Sequence, residues 1–162
     1  MPFGSYIDFG DFQLLSGSME LFLRKKGNKL VTDPIKGTIK RGKTEEIDAI
    51  MKAKLISSAK ERAENLMIVD LMRNDLGRVS KIGSVKVNKL FEVETYSTLH
   101  HMVSEVEGQV DEKVAISEII KNVFPPGSVT GAPKKRTLEV IDELEPHLRG
   151  PYCGTIGVFY PN

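Results

Sequence analysis

Apolar residues recur along this chain at two different spacings. Ile116, Ile119, Ile120 and Val123 fall at i, i+3, i+4 and i+7, which puts them on one face of a helix. Val85, Val87 and Leu90, within residues 82–94, are spaced for extended structure. Residues 12–32 read as two short strands. Phe12, Leu14 and Leu15 belong to the first; Leu21, Phe22 and Leu23 run into a turn at residues 25–28, and Leu30 and Val31 resume beyond it. Gly27 and Asn28 tolerate positive φ, which a tight hairpin turn requires. Pro34 then interrupts. Residues 35–38, bracketed by Pro34 and Gly37, are extended or turning and not helical.

Thr44 is placed to cap a helix, with Glu45, Glu46 and Asp48 supplying the acidic first turns. The helical pattern runs to about Asp75, as two helices breaking near Ser57 and Ser58, with Gly77 as the stop. Residues 97–110 lean towards a strand that ends at Gly108. Residues 124–132 form a Pro/Gly loop. Pro133 suits the first turn of a helix that runs to about Glu145, buries Leu138, Ile141 and Leu144, and ends at Pro146. Residues 152–160 read as a strand. Strands and helices mix without regular βαβ alternation, so the fold class is α+β.

Composition narrows the function classes. The chain has 162 residues, 40% hydrophobic and 28% charged, which is ordinary for a globular domain and excludes a disordered tail, a collagen or a coiled-coil rod. Lys and Arg number 23 against 22 Asp and Glu. A balance that close to zero argues against a general nucleic-acid binder. No apolar run approaches the roughly 20 residues of a membrane span. Asp8 and Asp11 occupy the N-terminal stretch with no basic region, so it does not read as a signal peptide. Cys153 is the lone cysteine, which excludes an internal disulfide framework and suits a reducing, cytoplasmic setting. With three histidines beside it, a classical zinc site is not indicated.

Candidate chemistry gathers at a few positions. Lys36, in a rigid turn beside Gly37, is an amine nucleophile or base if desolvated, and a solvated lysine otherwise. Glu61 and Glu64 share a helix face, where two carboxylates could hold Mg²⁺ or merely face solvent beside Lys60 and Arg62. Asp70 follows the apolar run 66–69 and would need a partner if buried, with Arg73 one candidate; otherwise the patch is a helix C-terminus with local ion pairs. The loop through Gly127, Ser128, Thr130, Gly131 and Ala132 opens a helix and is either an anion site or a structural cap. Its glycines are four apart and no Gly-Lys-Ser/Thr follows, so it is not a Walker A loop. Tyr152 and Gly154 could present backbone N–H groups to a carboxylate. His100 and His101, adjacent on a strand, point to opposite faces, one able to reach a site and the other solvent, or they are satisfied structural histidines. Together these features suggest an enzyme acting on a small polyanion and do not name its reaction.

The motifs taken together resemble the chorismate-utilising enzymes. They are Pro34-Ile35-Lys36-Gly37-Thr38; Glu64 to Leu71 with Arg73-Asn74-Asp75; His101-Met102-Val103-Ser104; Gly127 to Lys134; and Gly150-Pro151-Tyr152-Cys153-Gly154. The family includes anthranilate synthase component I, aminodeoxychorismate synthase component I, isochorismate synthase and salicylate synthase. Lys36, the order Ser128-Val129-Thr130 and Cys153 each resemble the aminodeoxychorismate synthases more than the anthranilate synthases.

The resemblance implies amination of chorismate at C4 to 4-amino-4-deoxychorismate, on the way to 4-aminobenzoate and folate. It implies Mg²⁺, and ammonia from a glutaminase subunit. Lys36 would attack C2, Glu20 would be the general acid/base, and His101 would stand near the departing hydroxyl. Glu64 would bind Mg²⁺, with Glu61 a ligand or its neighbour. Gly37, Thr38, Ser128, Thr130, Gly131, Ala132, Tyr152 and Gly154 would contact substrate. Anthranilate synthesis and a non-catalytic docking module are the competing readings.

Some positions depart from the family pattern. Met19 stands where many members have Pro, and Pro126 replaces a common Gly. The family fold is a two-sheet α/β sandwich with flanking helices. Residues 1–162 are expected to form only part of that catalytic domain, without its N-terminal subdomain and C-terminal segment, which would leave sheet edges exposed.

Overall fold

The computed structural model describes residues 2–160. In chain order the elements are β1 (Phe3–Asp8), β2 (Gln13–Ser18), β3 (Leu21–Lys26), β4 (Lys29–Asp33), β5 (Ile35–Lys40), α1 (Glu45–Ser57), α2 (Ala59–Gly77), β6 (Lys86–Thr95), β7 (Leu99–Gln109), α3 (Ile116–Val123), α4 (Gly127–Thr130) and α5 (Lys134–Leu144). The class is mixed α and β with antiparallel sheets, as the sequence indicates.

The long strand β7 organises the main five-stranded sheet. β6 lies along one of its edges. The other edge is shared end to end: β5 pairs with residues 99–103 and β4 with residues 106–109. Pro34 sits at the junction, and its carbonyl accepts the Ser104 N–H at 3.1 Å. The ladder therefore breaks where the chain has no N–H to give. β3 extends the sheet beyond β4 through a two-residue turn at Gly27, whose φ is +58°, and Asn28. β1 and β2 form a separate two-stranded hairpin; β1 had no sequence signal.

Both long helices start where the caps are. Thr44 Oγ1 accepts the Ile47 N–H at 3.3 Å, and Ser58 ends α1 and caps α2 through the Glu61 N–H at 3.3 Å. These helices cover one face of the sheet. Alternate β7 residues His100, Met102, Ser104 and Val106 are buried there. The core joins Leu30 and Val106 of the sheet to Ile68, Val69, Met72 and Leu76 of α2 and to Ile119 and Val123 of α3. Each such side chain contributes on the order of 1.5–3 kcal/mol by leaving water.

Two expectations fail. Helix α5 forms, but Leu138 and Leu144 are exposed and no residue of α5 is buried. Its main neighbour among the described residues is the single turn α4, which is too short to cover an apolar stripe. Residues 152–160 form no strand, because none of them pairs with another strand, and an extended segment without a ladder partner is not a sheet element. Asp70 lies on the surface paired with Arg73 at 3.0 Å, the local ion pair the sequence offered, while the buried carboxylate of α2 is Asp75, at 2% exposure. Among the described residues no helix is long and apolar enough to cross a membrane.

Candidate active site

A bulge aims Lys36. Ile35 pairs with Val103 and Thr38 with His101, so Lys36 and Gly37 together face the single residue Met102. The extra residue turns both towards the helices, the usual consequence of a two-against-one bulge. Gly37 has φ +92°, a conformation that disfavours a Cβ. A Cβ there would also stand 3.1 Å from Glu61 Cβ and 3.2 Å from Leu55 Cδ1. β5 thus runs close against the face of α2 that carries Glu61 and Glu64.

Lys36 opens into a cleft of about 360 Å³ between that face and the loop at residues 127–131. Glu64, Met67 and Ile68 line the helix side, and Gly127, Ser128, Thr130 and Gly131 line the loop side. Gly127 permits the close approach of the loop, since a Cβ on it would run into the Leu71 side chain. The Lys36 ammonium donates to the Ser128 carbonyl at 3.5 Å. The Glu20 carboxyl lies near the Ser128 side chain, the Lys36 charge and the Ile35 N–H, each of which acts to lower its pKa. Glu20, Lys36, Ser128 and Glu64, spread over more than 100 positions of sequence, therefore meet at one place.

Burial pushes the Glu20 carboxyl above its usual range; the Ser128 hydroxyl, the Lys36 charge and the Ile35 N–H offset only part of it. A carboxyl so placed can hold a proton nearer neutrality and release it to a leaving group. Glu61 and Glu64 offer oxygen donors on one face, and Glu64 reaches Lys60 only at 3.7 Å, so its carboxylate is weakly engaged. Among the described residues no group of three or more His, Cys, Asp or Glu is placed to hold a metal. Two carboxylates still fit Mg²⁺, which is commonly held by one or two of them and keeps several waters.

Other expected site residues lie elsewhere. The Thr130 hydroxyl is used within its own turn, donating to Pro126 O at 3.1 Å. Ala132 is exposed beside the cleft and does not line it. Tyr152 is exposed, with Arg149 stacked 5.9 Å from its ring, and Gly154 follows it outside the cleft. The two histidines do point to opposite faces, but neither reaches solvent. His100 is fixed among Asp48 at 3.0 Å and Thr95 at 3.0 Å. His101 is 4% exposed, lies on the sheet face away from the helices, and bonds the Thr38 hydroxyl at 2.8 Å.

Two supports had no clear sequence reading. Asn65, fully buried next to Glu64, accepts the Ser104 hydroxyl at 2.6 Å and donates to Met102 O at 3.3 Å, tying α2 to β7. Lys134 donates to Asp75 at 2.5 Å and to Val123 O at 3.1 Å, tying the end of the cleft loop to α2. A polar residue within the apolar helical pattern was the available signal for Asn65.

A family model described as chorismate binding enzyme matches residues 1–162. The aminodeoxychorismate synthase component 1 of Bacillus subtilis (strain 168) is 52% identical over 98% of this chain. An anthranilate synthase component 1 of Haloarcula marismortui is 47% identical over 98% of it. The chain spans about a third of these relatives, 34% of the first and 32% of the second. The crystal structure of anthranilate synthase component I from Streptococcus pneumoniae TIGR4 superposes with a TM-score of 0.77 at 37% identity, covering 88% of this chain and 31% of that one.

Proposed function

The chain belongs to the chorismate binding enzyme family, and from that premise we propose that it carries the catalytic cleft of an aminodeoxychorismate synthase. The observation that supports this reading is the meeting of Lys36 and Glu20 through Ser128. The reaction proposed is amination of chorismate at C4, with ammonia supplied by a glutaminase partner in the cytoplasm.

The chemistry divides into two displacements. Lys36, reacting as the free amine, forms a bond from Nζ to C2 as the two conjugated ring π-bonds shift and the C4–O bond breaks. Glu20, whose burial raises its pKa, gives a proton to the departing hydroxyl, which leaves as water. Ammonia then bonds to C4, both π-bonds shift back, and the C2–Nζ bond breaks to free Lys36. An excess proton on the new amine returns to Glu20. Two easier steps replace one hard substitution. Glu64, with Glu61 beside it, would hold Mg²⁺, which when bound supplies charge for the ring carboxylate. Ser128 holds both reacting groups in register and so reduces the motion needed to reach the transition state.

Anthranilate synthesis is the second reading, favoured by the 47% identical relative that carries that name. Lys36 weighs against it, because a nucleophile at C2 serves substitution at C4. Product analysis separates them. With chorismate, Mg²⁺ and ammonium salt, chromatography with mass spectrometry is expected to find 4-amino-4-deoxychorismate. Formation of 2-aminobenzoate would refute the proposal.

A further inference from the structure

Lys134 is the first residue of α5 and follows the loop that carries Gly127, Ser128 and Gly131 to the cleft. Its ammonium donates to Asp75 Oδ2 at 2.5 Å and to the Val123 carbonyl at 3.1 Å. Val123 ends α3, so one ammonium joins the chain on both sides of residues 124–133. Asp75 fixes that clasp to α2. Glu64, Ile68, Leu71 and Asp75 follow one another at intervals of four, three and four, which keeps them on one face of the helix. That face lines the cleft with Glu64 and Ile68, seats Gly127 against the Leu71 side chain, and anchors the end of the loop at Asp75.

Stability alone does not account for an ion pair here. Its two side chains are 16% and 2% exposed, and withdrawing both charges from water offsets most of their attraction. The helix dipole also opposes a cation in a first turn, and α5 has no acidic residue in that turn to balance it. An apolar pair of similar volume is often as stable. What such a pair lacks is direction. A lysine ammonium aims its donors at the Asp75 and Val123 oxygens and so fixes where the two ends of the loop stand. We infer that Lys134 and Asp75 are positioning residues that hold the loop in the register where the Ser128 carbonyl meets Lys36. Neither lines the cleft, so both act through Ser128 and touch no ligand there. What the cleft converts rests on the proposed function; the placement of Ser128 against Lys36 does not.

Competitive acetylation with limiting acetic anhydride, read by peptide mass spectrometry, reports this register. Lys36, which donates to Ser128, is scored against Lys60, whose side chain is 77% exposed, in the same sample. Lys134→Met combined with Asp75→Leu is expected to keep most of the wild-type stability in urea and to raise the Lys36-to-Lys60 ratio about threefold or more. Asp75→Asn keeps the shape and leaves only a neutral acceptor, and is expected to raise the ratio by a smaller factor. A double variant that is stable and labels Lys36 as wild type does would make the pair packing only and overturns the inference. So does an Asp75→Asn ratio equal to wild type, which decides the matter even where the double variant does not fold. With chorismate, Mg²⁺ and ammonium salt, the double variant is also expected to lose about 100-fold in kcat with KM little changed. A wild-type chain that forms no 4-amino-4-deoxychorismate counts against the proposed function and leaves the labelling result standing, so the two claims fail separately.

Discussion

The Lys36 ammonium and the Ser128 carbonyl are 92 positions apart in sequence and meet at 3.5 Å. The contact closes the cleft between a bulged edge strand and a glycine-bearing loop. It also places the Ser128 hydroxyl, which lies near Glu20, beside the amine that Glu20 would serve. Removing the hydroxyl and removing the carboxylate should therefore have different consequences.

Glu20 should make stability depend on pH in a defined sense. Its folded pKa lies above the ordinary 4.5 because burial disfavours the charge. A raised carboxyl contributes stability that is full below the unfolded value and is lost as pH rises through the folded value. Glu20→Gln should match wild type at acid pH and be the more stable protein at neutral pH. Ser128→Ala should push the Glu20 carboxyl up further and move that loss to higher pH. Denaturant unfolding of all three proteins across pH 4–8 checks both outcomes. A constant difference between wild type and Glu20→Gln would count against the buried-carboxyl account.

Gly37→Ala should destabilise by about 1–3 kcal/mol, the usual cost of forcing a side chain into such backbone. Glu61 and Leu55 would have to give way as well. Urea titration measures this, and a change within about 0.5 kcal/mol, the usual surface range, would contradict the bulge geometry.

Lys134→Met should cost about 3 kcal/mol, because it leaves the carboxylate of Asp75 buried without its partner. Lys134→Met combined with Asp75→Leu should recover most of that loss, since replacing both members of a buried pair is often nearly neutral. A double-mutant cycle reads the coupling.

Asn65→Ala should cost about 1–3 kcal/mol, since it strands the buried Ser104 hydroxyl and Met102 carbonyl. It should also weaken Mg²⁺ binding, because Glu64 precedes Asn65 on the helix it anchors. Calorimetric titration of Mg²⁺ beside thermal unfolding separates the two effects.

Much of this arrangement is legible in sequence, for physical reasons. Thr44, Ser58 and Gly27 act locally, so their caps and turn can be read from neighbouring residues alone. The motif resemblance locates Lys36, Glu20 and Glu64, and the structure brings these three to the cleft around Ser128. What sequence cannot supply is register. The bulge that turns Lys36 towards α2 depends on the pairing of β5 with β7, more than 60 positions away. The same pairing puts His101 on the opposite face from the cleft. Residues 152–160 carry strand-like composition, but a strand exists only where a partner completes its ladder. Leu138 and Leu144 have the right spacing and lack a surface to pack against.

The most direct test of Lys36 as the nucleophile is peptide mapping by mass spectrometry after acid quench. The chain is mixed with chorismate and Mg²⁺, with and without ammonium salt. The account predicts an adduct of chorismate less one water on the peptide containing Lys36. It should build up without ammonium, decline with it, and vanish in Lys36→Ala. An adduct on another residue, or one that persists in Lys36→Ala, would contradict the account.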